Sequence, residues 1–106
     1  MSNIEGGLNM SSNLDDTFKD NLVKILTDEL KVLRAKAEIS QQDLAEKIGV
    51  SRQTYGSIES KKQKMSWNTF LSLLFLFEKS EGTSKIIHQI GAYPPELESY
   101  LKMNNI

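Results

Sequence analysis

The stretch SQQDLAEKIGVSRQTYGSIES, residues 40–60, decides the fold. Ser40 is followed three residues later by Asp43, which resembles a capping box, although Glu or Gln is the usual partner at that spacing. The helix this starts, about Gln41 to Ile48, places Leu44 and Ile48 four residues apart on one inner face, beside the small Ala45. Gly49 suits the end of that helix, where a left-handed conformation is cheap only for glycine. Ser51 then reads as the N-cap of a second short helix, Arg52 to about Glu59, with Tyr55 and Ile58 spaced three apart.

Working outward, Phe18, Leu22, Ile25, Leu26, Leu30 and Leu33 recur at spacings of three and four, which predicts a long amphipathic helix running to about Ala37. Asp15 or Asp16 is placed to cap it. Ser60–Ser66 is a polar loop carrying Lys61, Lys62 and Lys64. A further helix is predicted from Trp67 to about Lys79. Its segment Leu73–Phe77 is apolar all round, so more than one face must be covered. Glu81-Gly82-Thr83 reads as a break. Ser84–Ile90 reads as a short helix ended by Gly91, and Pro95 stands in the first turn of a last helix, Glu96–Met103. No repeat and no strand-like alternation is found, so the chain is expected to be an all-α bundle of five or six helices. Residues 1–14 read as a flexible tail, 15–80 as a domain with an extended first helix, and 81–106 as a helical extension able to serve in dimerisation. Two short helices around Gly49-Val50-Ser51 form the helix-turn-helix pattern.

A chain of 106 residues without cysteine has room for one domain and no disulfide or thiolate metal site. The longest apolar run is far too short to span a membrane, and the N-terminus lacks the pattern of a secretory signal, so a cytoplasmic location is expected. The net charge is -1, but it is unevenly spread. Residues 1–30 carry -4, residues 31–64 carry +4 and residues 65–106 carry -1. A basic stripe confined to the middle third is the electrostatic footprint of a small DNA reader.

The stretch Leu30–Phe77 resembles the lambda-repressor-like, Cro-type (XRE) helix-turn-helix family. The matching residues are Leu33-Arg34, Ser40-Gln41, Leu44-Ala45, Gly49-Val50-Ser51 and Ile58-Glu59, all in register. The resemblance implies that the second short helix lies in the major groove of duplex DNA, which admits an α-helix. By position in the motif, Arg52, Gln53 and Ser57 are then expected to contact bases. Gln41 is expected to touch phosphate, with Ser51, Thr54, Lys61, Lys62 and Lys64 as further backbone contacts. Such contacts set register and orientation, and base edges carry sequence information. Several positions depart from the family pattern. Ser60-Lys61 stands where glycine is common, Met65 where proline is common, Tyr55 where an aliphatic residue is usual, and Leu74 and Leu76 where small residues are usual. Gly56, inside the recognition helix, costs up to about 1 kcal/mol relative to alanine and is read as allowing close approach to the backbone.

No phosphate loop, calcium loop or nucleophile constellation is present, so neither catalysis nor a metal or cofactor is expected. His88, the sole histidine, lacks partners at ligand spacing and reads as structural or exposed, and Trp67 reads as structural. The expected function is sequence-specific binding of duplex DNA to regulate transcription, as a repressor or a recruiter of polymerase. A homodimer is expected, because two half-sites strengthen binding and the C-terminal region carries surplus apolar residues. The duller reading of those residues is that the last helices cover the long first one. Two rival functions keep the same fold: an antitoxin or anti-repressor acting on a protein partner, and a regulator sensing a small ligand beside Trp67.

Overall fold

A computed structural model describes residues 14–103; the expectation for the N-terminal tail lies outside this range except at Leu14. Six helices follow one another: α1 (Asp16–Ala37), α2 (Gln41–Ile48), α3 (Arg52–Glu59), α4 (Trp67–Phe77), α5 (Glu81–Gln89) and α6 (Pro95–Leu101). There is no strand among the described residues, and the all-helical architecture expected from periodicity stands.

Helix boundaries follow from side chains that satisfy otherwise unpaired backbone groups. The side chains of Asp15, Ser40, Ser51 and Ser66 each accept a hydrogen bond from the amide three residues on, at the starts of α1 to α4. Four helix ends share the opposite device, a left-handed residue followed by a bond back across the last turn. Gly49 and Gly91 provide it at α2 and α5, as their lack of a Cβ favours. Glu38 and Lys61 adopt the same left-handed region, with φ of 54° and 69°, at α1 and α3. Lys61 thus takes the conformation of the glycine that the sequence lacks after the recognition helix. Its amide donates to the Ile58 carbonyl, and that of Lys62 to the Ser57 carbonyl.

Leu22, Leu26, Leu30 and Leu33 of α1 are fully or almost fully buried and form the spine of the core. Leu44 and Ala45 of α2, Tyr55 and Ile58 of α3, and Phe70, Leu73, Leu74 and Phe77 of α4 close over it. Tyr55 therefore occupies the place of the usual aliphatic residue as a core side chain, and Met65 is buried as well. Trp67 stacks on Phe70 with ring centroids 4.8 Å apart. The ammonium of Lys19 lies over the rings of both Trp67 and Tyr100, linking α1 to the chain's last helix.

The C-terminal part departs from the sequence expectation in two ways. Glu81-Gly82-Thr83 is the first turn of α5 and not a break; the break is at Glu78–Ser80. Thr83 is buried, and its hydroxyl donates to the carbonyl of Phe77 at 2.6 Å, which secures the α4–α5 junction and lets the helix begin earlier. The last helix ends at Leu101 and not at Met103. Several apolar residues expected to be surplus are also buried within the chain: Leu73, Leu74, Phe77, Ile87 and Leu97. Of the two C-terminal helices, α5 packs along α1. Phe75, Leu101 and Met103 remain exposed.

Candidate nucleic-acid interface

Helix α3 has two faces. Tyr55, Ile58 and Glu59 point into the protein and are buried. Arg52 and Gln53 are exposed, with Gly56 and Ser57 half-buried beside them. At 100° per residue these four positions share the outward side of the helix. Ser51 caps α3 by accepting from the Thr54 amide at 3.0 Å, and its hydroxyl also lies 3.0 Å from that of Thr54. The cap fixes the first turn of the helix, the turn that carries Arg52 and Gln53.

The angle of α3 is held from beneath by an ion pair that sequence reading passed over as mere motif. Arg34, near the end of α1, donates through Nε and Nη2 to the two carboxylate oxygens of Glu59, both at 2.9 Å. A third donor, Nη1, reaches the carbonyl of Ile39 at 3.1 Å. Glu59 is only 5% exposed. Such a two-pronged contact is geometrically specific as well as strong. Burial works against the Glu59 charge, but the two hydrogen bonds from Arg34 and its positive charge, with the polar groups of Tyr55 and Gln41 nearby, outweigh it and hold the carboxyl below its ordinary value. The Tyr55 hydroxyl is pushed upward, first by burial and then by the neighbouring carboxylate. That hydroxyl is buried and faces Glu59 without the full geometry of a hydrogen bond. The signal that could have revealed this pair is the matched register of Arg34 and Glu59 in the motif itself.

Gln41, at the first position of α2, is half-buried. It stands between α2 and α3, with its Oε1 beside Gly56. Thr54 is half-buried on the flank of α3. The loop after α3 presents Lys61, Lys62 and Lys64, all exposed. Two of them are paired with acids of α1: Lys61 with Asp28 at 2.8 Å, and Lys64 with Asp20. Asp28 is also bridged by Lys24, and these two lysines hold its carboxyl below the ordinary value. Lys62 makes no ion pair among the described residues. The acidic first third and the basic middle third of the sequence thus meet in space, and part of the basic stripe is neutralised inside the protein.

Residues 30–66 match a family model described as helix-turn-helix. This segment is a helix-turn-helix domain of the lambda-repressor-like kind. The match begins at Leu30 in the middle of α1 and ends at Ser66, the cap of α4, so it contains α2, α3 and the Arg34–Glu59 pair whole. No curated protein and no solved structure matches the chain. The helix-turn-helix match supports a DNA-binding regulator.

Elsewhere on the molecule, an open apolar cleft of about 430 Å³ lies between α4 and α6, lined by Leu71, Leu74, Phe75, Tyr93 and Leu101, with Glu78 at its edge. Trp67 is not part of it. His88 lies 3.2 Å from the Glu78 carboxylate and is exposed. No group of His, Asp and Glu able to hold a metal occurs among the described residues, and no described helix is long and apolar enough to cross a membrane.

Proposed function

We propose that this protein binds duplex DNA in a sequence-specific way and regulates transcription by occupying an operator. The observation that carries this reading is the outward side of α3. Arg52 and Gln53 stand exposed on a helix turn capped by Ser51, while the helix is clamped from beneath by Arg34–Glu59. A reading head must be rigid behind and polar in front, and α3 is both. Arg52 suits guanine O6 and N7, Gln53 suits adenine N6 and N7, and Ser57 lies one turn further on to touch a third base. Gln41, Ser51, Thr54, Lys61, Lys62 and Lys64 serve the sugar–phosphate backbone. Lys62 contributes most among the lysines, because Lys61 and Lys64 must first give up Asp28 and Asp20.

The chain acts as a homodimer in this reading, so that two copies of α3 meet half-sites one helical turn apart. The exposed Phe75 and Leu101 at the α4–α6 cleft support such a contact. Sedimentation in the presence and absence of a two-half-site duplex tests it: one protein per duplex would refute the dimer.

The function is tested by fluorescence anisotropy with duplexes selected from a randomised pool, at several salt concentrations. A selected duplex should bind at least ~10³-fold more tightly than bulk DNA, with affinity falling as salt rises. Arg52→Ala and Gln53→Ala should each cost about 1–3 kcal/mol and relax preference at one defined base pair. Weak, sequence-blind binding would overturn the reading and turn attention to a protein partner.

A further inference from the structure

Among the described residues two glycines stand inside helices, Gly82 of α5 and Gly56 of α3. A Cβ built on Gly82 of α5 would come within 2.7 Å of Cε of Lys36, the far end of an exposed, flexible side chain that can move aside. A Cβ built on Gly56 of α3 would meet nothing nearer than Oε1 of Gln41, at 3.6 Å, which is an ordinary contact. Gly56 also has no positive φ; among the described residues the glycines that do are Gly49 and Gly91. Alanine would fit the folded protein at position 56 without clash or backbone strain. It would also favour the helix by about 1 kcal/mol, in a helix of only eight residues. Nothing inside the chain therefore requires glycine where alanine is the better helix former.

The open space at Gly56 lies on the outward side of the helix. Gly56 sits on the outward side of α3, one turn after Arg52 and three residues after Gln53, with Ser57 next to it. The missing side chain leaves a depression between these residues, bounded on one flank by Gln41 of α2. We infer that this depression admits the sugar–phosphate backbone of one DNA strand at closer range than any residue with a Cβ would allow. The backbone and not a base edge is assigned because the depression faces Gln41 and the start of α2. Of the base-reading positions, Gln53 and Ser57 turn away from that side by their helical phase, and Arg52 stands one turn before the depression. A close backbone contact at this point sets how deep α3 sits in the groove, and so how far Arg52 reaches. The inference rests on the DNA-binding reading above.

The test is Gly56→Ala, with Gly82→Ala as a control in a helix that takes no part in the interface. Thermal melting followed by circular dichroism should show Gly56→Ala at least as stable as the parent protein. Anisotropy against both a selected duplex and a mixed-sequence duplex should show affinity lowered by about tenfold or more for each, equivalent to ~1.4 kcal/mol or more. The ratio between the two duplexes should stay unchanged, because a backbone contact carries no sequence information. Gly82→Ala should leave both affinities as they were. A Gly56→Ala protein that binds both duplexes like the parent overturns the inference. A loss confined to the selected duplex overturns the assignment to backbone. If the parent protein itself binds no duplex in a salt-dependent way, the DNA-binding reading fails first, and this inference falls with it.

Discussion

Removing Arg34 is the perturbation that most directly probes how the reading helix is held. Arg34→Ala leaves the Glu59 carboxylate buried against Tyr55 and Gln41 with no cation. Breaking a buried pair from one side costs about 3–5 kcal/mol as a rule. Here an upper bound can be worked out, because the carboxyl can escape its position by taking up a proton. From its ordinary value of 4.5, protonation at pH 7 spans 2.5 pH units, or about 3.4 kcal/mol at 1.36 kcal/mol per unit. Arg34 is about one-fifth exposed, so water entering from that side reduces the cost somewhat. The expected loss is therefore about 3 kcal/mol, or roughly 12–24 °C in Tm for a domain of this size.

The sign of the pH dependence follows from Glu59. In the parent protein its carboxyl is held low, so its contribution is complete above 4.5 and is lost as pH falls through the folded-state value. In Arg34→Ala the same carboxyl is raised, so its penalty grows with pH above 4.5. The gap between the two proteins should therefore narrow as pH falls from 7 towards 4. Urea unfolding followed by circular dichroism and Trp67 fluorescence at pH 7, 5.5 and 4 measures it. A loss below about 1 kcal/mol at pH 7, or a gap that ignores pH, would refute the claim that this pair is a buried clamp. The paired replacement Arg34→Met with Glu59→Leu should recover most of the stability, since it leaves no charge behind.

Ser51→Ala removes the cap of α3 and should cost about 1 kcal/mol of stability, with weaker DNA binding because the turn carrying Arg52 and Gln53 frays; melting and anisotropy together check it. Lys61→Gly relieves a left-handed lysine, a strain of about 1–2 kcal/mol, and gives up an exposed ion pair that salt screens; its Tm should rise, and a fall would mean the pair outweighs the strain. Lys62→Ala should reduce the slope of log affinity against log salt by about 0.9, whereas an unchanged slope would remove Lys62 from the interface. Phe70→Ala opens a cavity beneath Trp67 and should cost about 3–5 kcal/mol, read from urea unfolding.

The sequence by itself determined the helices whose signals are local. Ser40, Ser51 and Gly49 mark their boundaries because caps and left-handed turns depend on residues within four positions. The spacing of leucines in α1 gave the buried face of that helix, because a helix repeats every 3.6 residues whatever surrounds it. The motif also singled out Arg52, Gln53 and Ser57, which the structure places together on the outward side of α3, with Gln41 on its flank. Other features depend on contacts between distant residues, and only the tertiary structure decided them. The Arg34–Glu59 clamp joins residues 25 apart, and the pairing of Lys64 with Asp20 joins residues 44 apart. Glu81-Gly82-Thr83 looks like a break by composition. It is helical, with the buried Thr83 hydroxyl bound to the carbonyl of Phe77. Charge segregation along the chain was legible, but its partial cancellation was not. Whether a lysine is free for phosphate depends on which acids the fold brings beside it, and no periodicity encodes that.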